Sequence, residues 1–106
     1  MEAFIITYNE KEDLIALGSY NGLIEVYTVN QDDGSPNKLV SKIFQHKKEI
    51  RLIDFLNETQ IISVDEAGNI ALTKIKTGET VKSSKIGGEY VNAGLSPSKN
   101  TLFLFS

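Results

Sequence analysis

The chain is written in short runs whose apolar positions recur every second residue. Leu23-Ile-Glu-Val-Tyr-Thr-Val29 sets β-branched and aromatic residues against Glu and Thr, and comparable runs occupy Phe4–Tyr8, Leu14–Leu17, Leu39–Phe44, Ile50–Phe55, Gln60–Val64, Asn69–Ile75, Thr80–Ile86, Val91–Ser96 and Thr101–Phe105. Side chains of this kind pack well on a pleated surface, and alternation over four to eight residues is the period of a half-buried strand. Polar residues and glycines separate the runs, and no segment carries the three-and-four spacing of an amphipathic helix. The pattern predicts an all-β fold. Asn21-Gly22, between Leu14-Ile-Ala-Leu-Gly18 and Leu23–Val29, predicts a hairpin with a type I′ turn, because both residues tolerate positive φ. Alternation then puts Ile24 and Val26 on the packed side of the strand and Glu25 on the side facing away.

The order of runs repeats. Gly22-Leu-Ile-Glu-Val stands 46 positions before Gly68-Asn-Ile-Ala-Leu, and Tyr8, Phe55 and Leu95 recur at the end of the first strand of successive units. Three units follow, at 1–44, 45–86 and 87–106, the last with only two strands. A period of about 40–45 residues built from four short strands is that of a propeller blade. Evenly spaced strands also fit a two-sheet β-sandwich, so the period alone leaves both open.

The residues at particular places in the repeat resemble the WD-repeat family over nearly the whole sequence. They are a His-containing loop at Gln45-His46, an aromatic closing the first strand at Phe55, Ser63 in the second, a turn ending in Gly68, and Thr77-Gly78-Glu79 before the fourth. Leu95-Ser-Pro-Ser-Lys-Asn-Thr-Leu102 is similar to the family's turn between first and second strands. The resemblance implies an incomplete WD-type β-propeller of four-stranded antiparallel blades. It also implies structural roles for Asn21, Gly22, His46 and Gly68, with His46 in a buried set of His, Ser or Thr, Asp and Trp that locks a blade. This sequence departs from that set. The chain has no Trp, the Trp-Asp pair is replaced by Tyr27-Thr28 and Thr73-Lys74, and the turn Asp falls on Asn21 and Ala67. A closed propeller needs about four to eight blades; two and a half leave the rest to be supplied by the remainder of the gene product or another chain.

Composition narrows the chemistry. The 106 residues carry 11 basic and 14 acidic side chains, a net charge of −3, which exerts no general pull on nucleic acid or anionic membranes. There is no cysteine, hence no disulfide framework or thiolate metal site. The opening residues read as neither a signal peptide nor a membrane span, so a cytoplasmic or nuclear location is expected. His46 is the one histidine and has no second histidine or cysteine with which to build a metal site or a nucleophile–base pair. Asp32-Asp-Gly-Ser-Pro-Asn37 lacks the ligand pattern of a calcium loop and reads as a solvated connection, and Gly87-Gly88-Glu89 lacks the Gly-Lys-Ser/Thr ending of a phosphate loop. No catalytic residue, metal or cofactor is expected.

The local basic concentration His46-Lys-Lys-Glu-Ile-Arg51 makes Lys47, Lys48 and Arg51 the candidates for an acidic partner or an RNA backbone. No aromatic residue is interleaved to stack bases, which favours protein. The resemblance implies a non-catalytic scaffold for multiprotein complexes; a propeller enzyme or ligand binder with a site in the central channel is the rival reading. A narrower similarity, carried by Asp13–Tyr27, His46–Phe55, Ile61–Ile70 and Thr77–Val81, is to nucleolar WD-repeat proteins of ribosome biogenesis. It would imply a nucleolar factor in rRNA processing.

Overall fold

A computed structural model describes residues 3–106, and side chains from Ile5 onward. It contains β1 (Ala3–Asn9), β2 (Leu14–Ser19), β3 (Ile24–Val29), β4 (Pro36–Ile43), β5 (Ile50–Phe55), β6 (Gln60–Asp65), β7 (Asn69–Lys74), β8 (Thr80–Lys85), β9 (Asn92–Leu95) and β10 (Leu102–Phe105). Each sheet is an antiparallel meander: β1-β2-β3-β4 form sheet one, β5-β6-β7-β8 sheet two, and β9-β10 a two-stranded sheet three. Strands do not switch sheets as they do in Greek-key sandwiches, so the sandwich alternative falls. Residues 1 and 2 of the first predicted unit lie outside the described residues.

Two local expectations are corrected. β4 begins at Pro36 instead of Leu39, taking in the end of the loop assigned to residues 32–37. Proline is tolerated there because it is the first residue of an outer strand, where no ladder N–H is needed. The turn at Asn21-Gly22 is not type I′, since Gly22 alone of the pair has positive φ, at 87°. The Gly22 amide donates to the Ser19 carbonyl at 3.3 Å and the Ser19 amide to Leu23 at 3.1 Å, closing a three-residue loop with glycine in the left-handed position. Asp65 to Gly68 repeats the geometry, with Gly68 at φ 80° and its amide 3.1 Å from the Asp65 carbonyl.

The registers assign every side chain to a face. On sheet one, the rows Ile5–Gly18–Ile24–Ile43 and Thr7–Ala16–Val26–Ser41 look toward sheet two. They meet Ile53–Ser63–Ala71–Ser83 and Phe55–Ile61–Thr73–Thr80 on sheet two. Ala16, Ile24, Val26, Ile43, Ile50, Ile53, Phe55, Ile61 and Ile75 form the buried cluster between them. The contact is tight: a Cβ on Gly18 would lie 2.7 Å from Ile53 Cδ1. Polar clamps close both ends of the second row. Thr7 Oγ1 donates to the Ile53 carbonyl at 2.7 Å and Ser41 Oγ to that of Ile75 at 2.5 Å.

The opposite face of sheet one carries Ile6–Leu17–Glu25–Lys42 and Tyr8–Ile15–Tyr27–Leu39. Glu25 does lie across the strand from Ile24 and Val26, but it is buried, at 8% exposure, against the expectation that it faces solvent. Its own face covers it. Tyr27 donates its hydroxyl to Glu25 Oε2 at 3.2 Å, and Lys42, the cross-strand neighbour, places Nζ 3.8 Å from the same oxygen. Alternation fixes the side of the strand a residue occupies; its neighbours on that side decide whether water reaches it.

Candidate functional site

His46 stands in the connection between β4 and β5, with its ring inserted against β6. Its Nδ1 lies 2.9 Å from Asp65 Oδ2 and its Nε2 2.7 Å from Ser63 Oγ. Ser63 and Asp65 are two apart on β6, so the pleat sends both toward the ring. Asp65 also receives the Asn69 side-chain amide at 2.9 Å and the backbone amides of Ala67 and Asn69 at 2.9 and 3.1 Å. Burial pushes the Asp65 carboxyl up, but the bonds from Asn69 and His46 outweigh it and hold the group below the usual carboxylate range. The ionised carboxylate can only accept, so Nδ1 donates to it; in the neutral ring Nε2 then accepts the Ser63 hydroxyl proton.

This is the hydrogen-bond order of a serine nucleophile, its base and its orienting acid. Access decides against that chemistry. Ser63 and Asp65 are 0% exposed and His46 4%, so no substrate atom can approach the hydroxyl. The trio is an internal latch that ties the β4–β5 connection to β6 and to the β6–β7 turn.

The sequence reading placed the turn Asp of this set at Ala67. The structure instead uses Asp65, two positions earlier at the end of β6, and neither Asp65 nor Asn69 was singled out. The signal was present: Ser63 and Asp65 share a strand face with a histidine-bearing loop nearby in sequence. Thr73 holds the position of the missing Trp, fully buried, and its hydroxyl oxygen has no hydrogen-bond partner among the described residues.

The structural residues occupy turns that dock on the following sheet. A Cβ on Gly22 would sit 2.4 Å from the His46 carbonyl oxygen, and one on Gly68 2.9 Å from that of Gly87 and 2.8 Å from the Tyr90 ring. Asn21 Oδ1 receives the Ser19 hydroxyl and, at 3.2 Å, the Leu23 amide, which fixes the turn from within.

The three basic candidates divide. Lys47 and Lys48 are exposed beside His46. Arg51 is half-buried and occupied, with Nε donating to the Tyr90 carbonyl at 2.9 Å and its other nitrogens 3.2 Å from Glu49 and 3.3 Å from Glu66. It fastens sheet three's approach to sheet two. Lys48, Arg51, Glu66, Glu89 and Tyr90 line a cleft of about 380 Å³ on this rim, whose charges are mixed. No group of three or more His, Cys, Asp or Glu among the described residues could hold a metal ion. No helix among them is long and apolar enough to cross a membrane.

No family model matches the chain. The β-propeller domain of Cps50 (Swd1) from Myceliophthora thermophila superposes with a TM-score of 0.72 at 17% identity, over 90% of this chain and 28% of that one. Sqt1 from Saccharomyces cerevisiae gives 0.65 at 18% identity, over 80% and 26%. The fold is that of β-propeller blades. Sheets one and two are thus two whole blades and sheet three part of another. The computationally designed Ika8 protein is matched over 98% of this chain and 33% of its own length, at a TM-score of 0.69 and 14% identity. Among curated proteins, Restriction of telomere capping protein 1 of Clavispora lusitaniae is 31% identical over 65 residues, 61% of this chain. The chain spans about 5% of that relative's length. A propeller closes with about four to eight blades, so closure here requires blades beyond those described.

Proposed function

We propose that these blades belong to a non-catalytic scaffold that binds other proteins, with Lys47 and Lys48 on its contact surface for an acidic partner. The observation that carries the reading is the contrast around His46. The one constellation with the makings of a catalytic site is sealed and spent on holding the blade, while the two lysines that follow it in sequence stand exposed on the loop it anchors. Rigid blades presenting exposed loops suit protein recognition, where a few well-held side chains dominate the energetics. Arg51 leaves the proposed surface because its donors are already engaged.

The test is a charge reversal, Lys47→Glu with Lys48→Glu, in the full-length protein, followed by quantitative co-purification of its complex partners across a salt series. The reading expects unchanged folding, since exposed charges add little to stability. It also expects weaker partner recovery with a flatter salt dependence. Equal recovery at every salt concentration removes this surface. Turnover abolished by His46→Ala in a protein that stays folded would overturn the non-catalytic reading as a whole.

A further inference from the structure

Two stretches of the chain share one spacing. Ser35-Pro36-Asn37-Lys38 and Ser96-Pro97-Ser98-Lys99 each set a proline directly after a serine and a lysine three positions after it. The serine hydroxyl can accept a phosphoryl group. The proline offers no N–H, so it suits an enzyme whose cleft asks for none at that point, and the lysine offers a charge to an acidic pocket. That is the pattern read by proline-directed protein kinases. The fold sets the two copies apart. Ser96 closes a tight turn: its amide donates to the Thr101 carbonyl at 2.9 Å, its carbonyl receives the Lys99 amide at 2.8 Å, and its Oγ accepts the Thr101 amide at 3.2 Å. Lys99 is turned toward sheet two, with Nζ 3.3 Å from Asp54 Oδ1 and donating also to the Phe55 carbonyl.

Ser35 lies in the β3–β4 connection, where residues 31–34 and 36–39 are exposed. From Pro36 the chain already runs extended as β4, the outer strand of a four-stranded sheet. Outer strands of a propeller face away from its axis whatever the number of blades. One extra residue stands on β4 between the Val29–Pro36 and Tyr27–Leu39 pairs, a bulge at Asn37 and Lys38 that interrupts the ladder. The Lys38 amide bonds the Thr28 side chain at 3.0 Å, and its Nζ has no partner among the described residues. One exposed bond holds the serine hydroxyl, from Ser35 Oγ to Asp33 Oδ1 at 2.6 Å; the same oxygen takes the Ser35 amide at 2.9 Å.

We propose that Ser35 is a phosphorylation site for a proline-directed kinase that reads Lys38, and that the phosphate unlocks the β3–β4 connection. In the transfer, Ser35 Oγ bonds to the terminal phosphorus of a nucleoside triphosphate as the bond from that phosphorus to the bridging oxygen breaks. The nucleoside diphosphate leaves, and the hydroxyl proton passes to the kinase's catalytic carboxylate. Docking thus exchanges one carboxylate acceptor, Asp33, for another. The phosphorylated Oγ has no proton to return to Asp33, and it sets a charge of about −1.5 to −2 beside Asp32 and Asp33. Like charge then opposes the bonds that close the connection, from the Asn30 amide to the Ser35 carbonyl at 2.7 Å and from the Gly34 amide to the Asn30 carbonyl at 2.8 Å. Ser35 and the lysines at 47 and 48 stand beyond opposite ends of β4, so this proposal and the acidic-partner reading can fail separately.

The probe is a purified cyclin-dependent kinase with magnesium ATP, acting on the folded full-length protein and, in parallel, on synthetic peptides Asn30–Leu39 and Val91–Phe105. Mass spectrometry reads the sites and their initial rates. Phosphate is expected on Ser35 in both protein and peptide, and on Ser96 only in its peptide. Lys38→Glu, an exposed change that leaves the fold alone, should slow modification of Ser35 by about fivefold, the upper range of a solvent-exposed ion pair. In the phosphorylated protein the Asn30 and Gly34 amides should exchange with deuterated solvent about tenfold faster, the equivalent of one lost charge-assisted hydrogen bond. Ser35 left unmodified in the folded protein overturns the proposal, as does Ser96 modified there at the same rate. So do a Ser35 rate indifferent to Lys38→Glu and an exchange rate at Asn30 and Gly34 that the phosphate leaves unchanged.

Discussion

Sheets one and two share a strand order, a turn geometry and a 46-residue offset, yet their corresponding faces are built differently. On sheet two the face toward its neighbour holds Ser63, Ala71 and Thr73 at its centre, with the His46–Ser63–Asp65 latch at one rim. The same positions on sheet one are Leu17, Glu25 and Tyr27, and the position of Asp65 is Ser19. Phe55 is 4% exposed and its counterpart Tyr8 51%. A face packed against another sheet has small central residues that admit the aliphatic row opposite, and its rim gathers His46, Ser63 and Asp65 into one buried hydrogen-bonded network. The opposite face of sheet one, against which no sheet among the described residues packs, is bulkier and settles its one carboxylate with a tyrosine and a lysine from its own surface.

The comparison breaks most sharply at the latch. Asp65→Ala leaves His46, Asn69 and two backbone amides without their acceptor in a buried site and should cost about 3–5 kcal/mol, whereas Ser19→Ala in sheet one should cost about 1 kcal/mol or less. Urea denaturation of both variants, read as a change in midpoint, checks the pair. The same group sets a pH limit. Its folded pKa lies below the unfolded value of about 3.9, so its contribution is whole above that value and fades as pH falls through the folded one. Acid titration of the wild type should show this loss, and Asp65→Asn should flatten the curve in that range.

Next in size are the turn glycines, at which the two sheets should respond alike. Gly22→Val and Gly68→Val combine a disfavoured positive φ with a Cβ driven to within 3 Å of backbone atoms, and each should cost about 2–4 kcal/mol. Thermal unfolding that spares one of them would show that the two turns are not equivalent.

Thr73→Val probes one of the two unsatisfied hydroxyls on the covered face, the other being Thr80. Removing an orphaned buried hydroxyl at nearly constant volume should stabilise by about 1 kcal/mol. Smallest is Glu25→Gln, which weakens contacts to Tyr27 and to the half-exposed Lys42 on its own sheet face, and should cost about 0.5 kcal/mol. A loss above 2 kcal/mol would mean that this face is covered in solution.

Most of the architecture was legible in the chain. Period-two runs located all ten strands, and the offset between Gly22 and Gly68 ordered them into repeating sheets, because alternation and turn glycines act locally. Features that depend on a neighbouring sheet were not legible. Glu25 carries no local mark of burial, since Lys42 reaches it from another strand. Asp65 was overlooked because the expected position was taken from the family's turn at Ala67, when the face shared by Ser63 and Asp65 was the better guide. Arg51 looked like a free cation because Tyr90, which holds it, lies 39 residues away.

The docking of Gly22 on the His46 backbone, and of Gly68 on Gly87, makes each turn a cog engaged by the following sheet. Neighbours linked in this way melt as coupled units whose stability depends on how many sides are engaged. Among the described residues, sheet two is engaged on both sides and sheet three on one. In a protein made of these 106 residues alone, amide protons of β6 and β7 should therefore be the slowest to exchange with deuterated solvent and those of β10 the fastest, a gradient of protection that blades added after β10 would flatten.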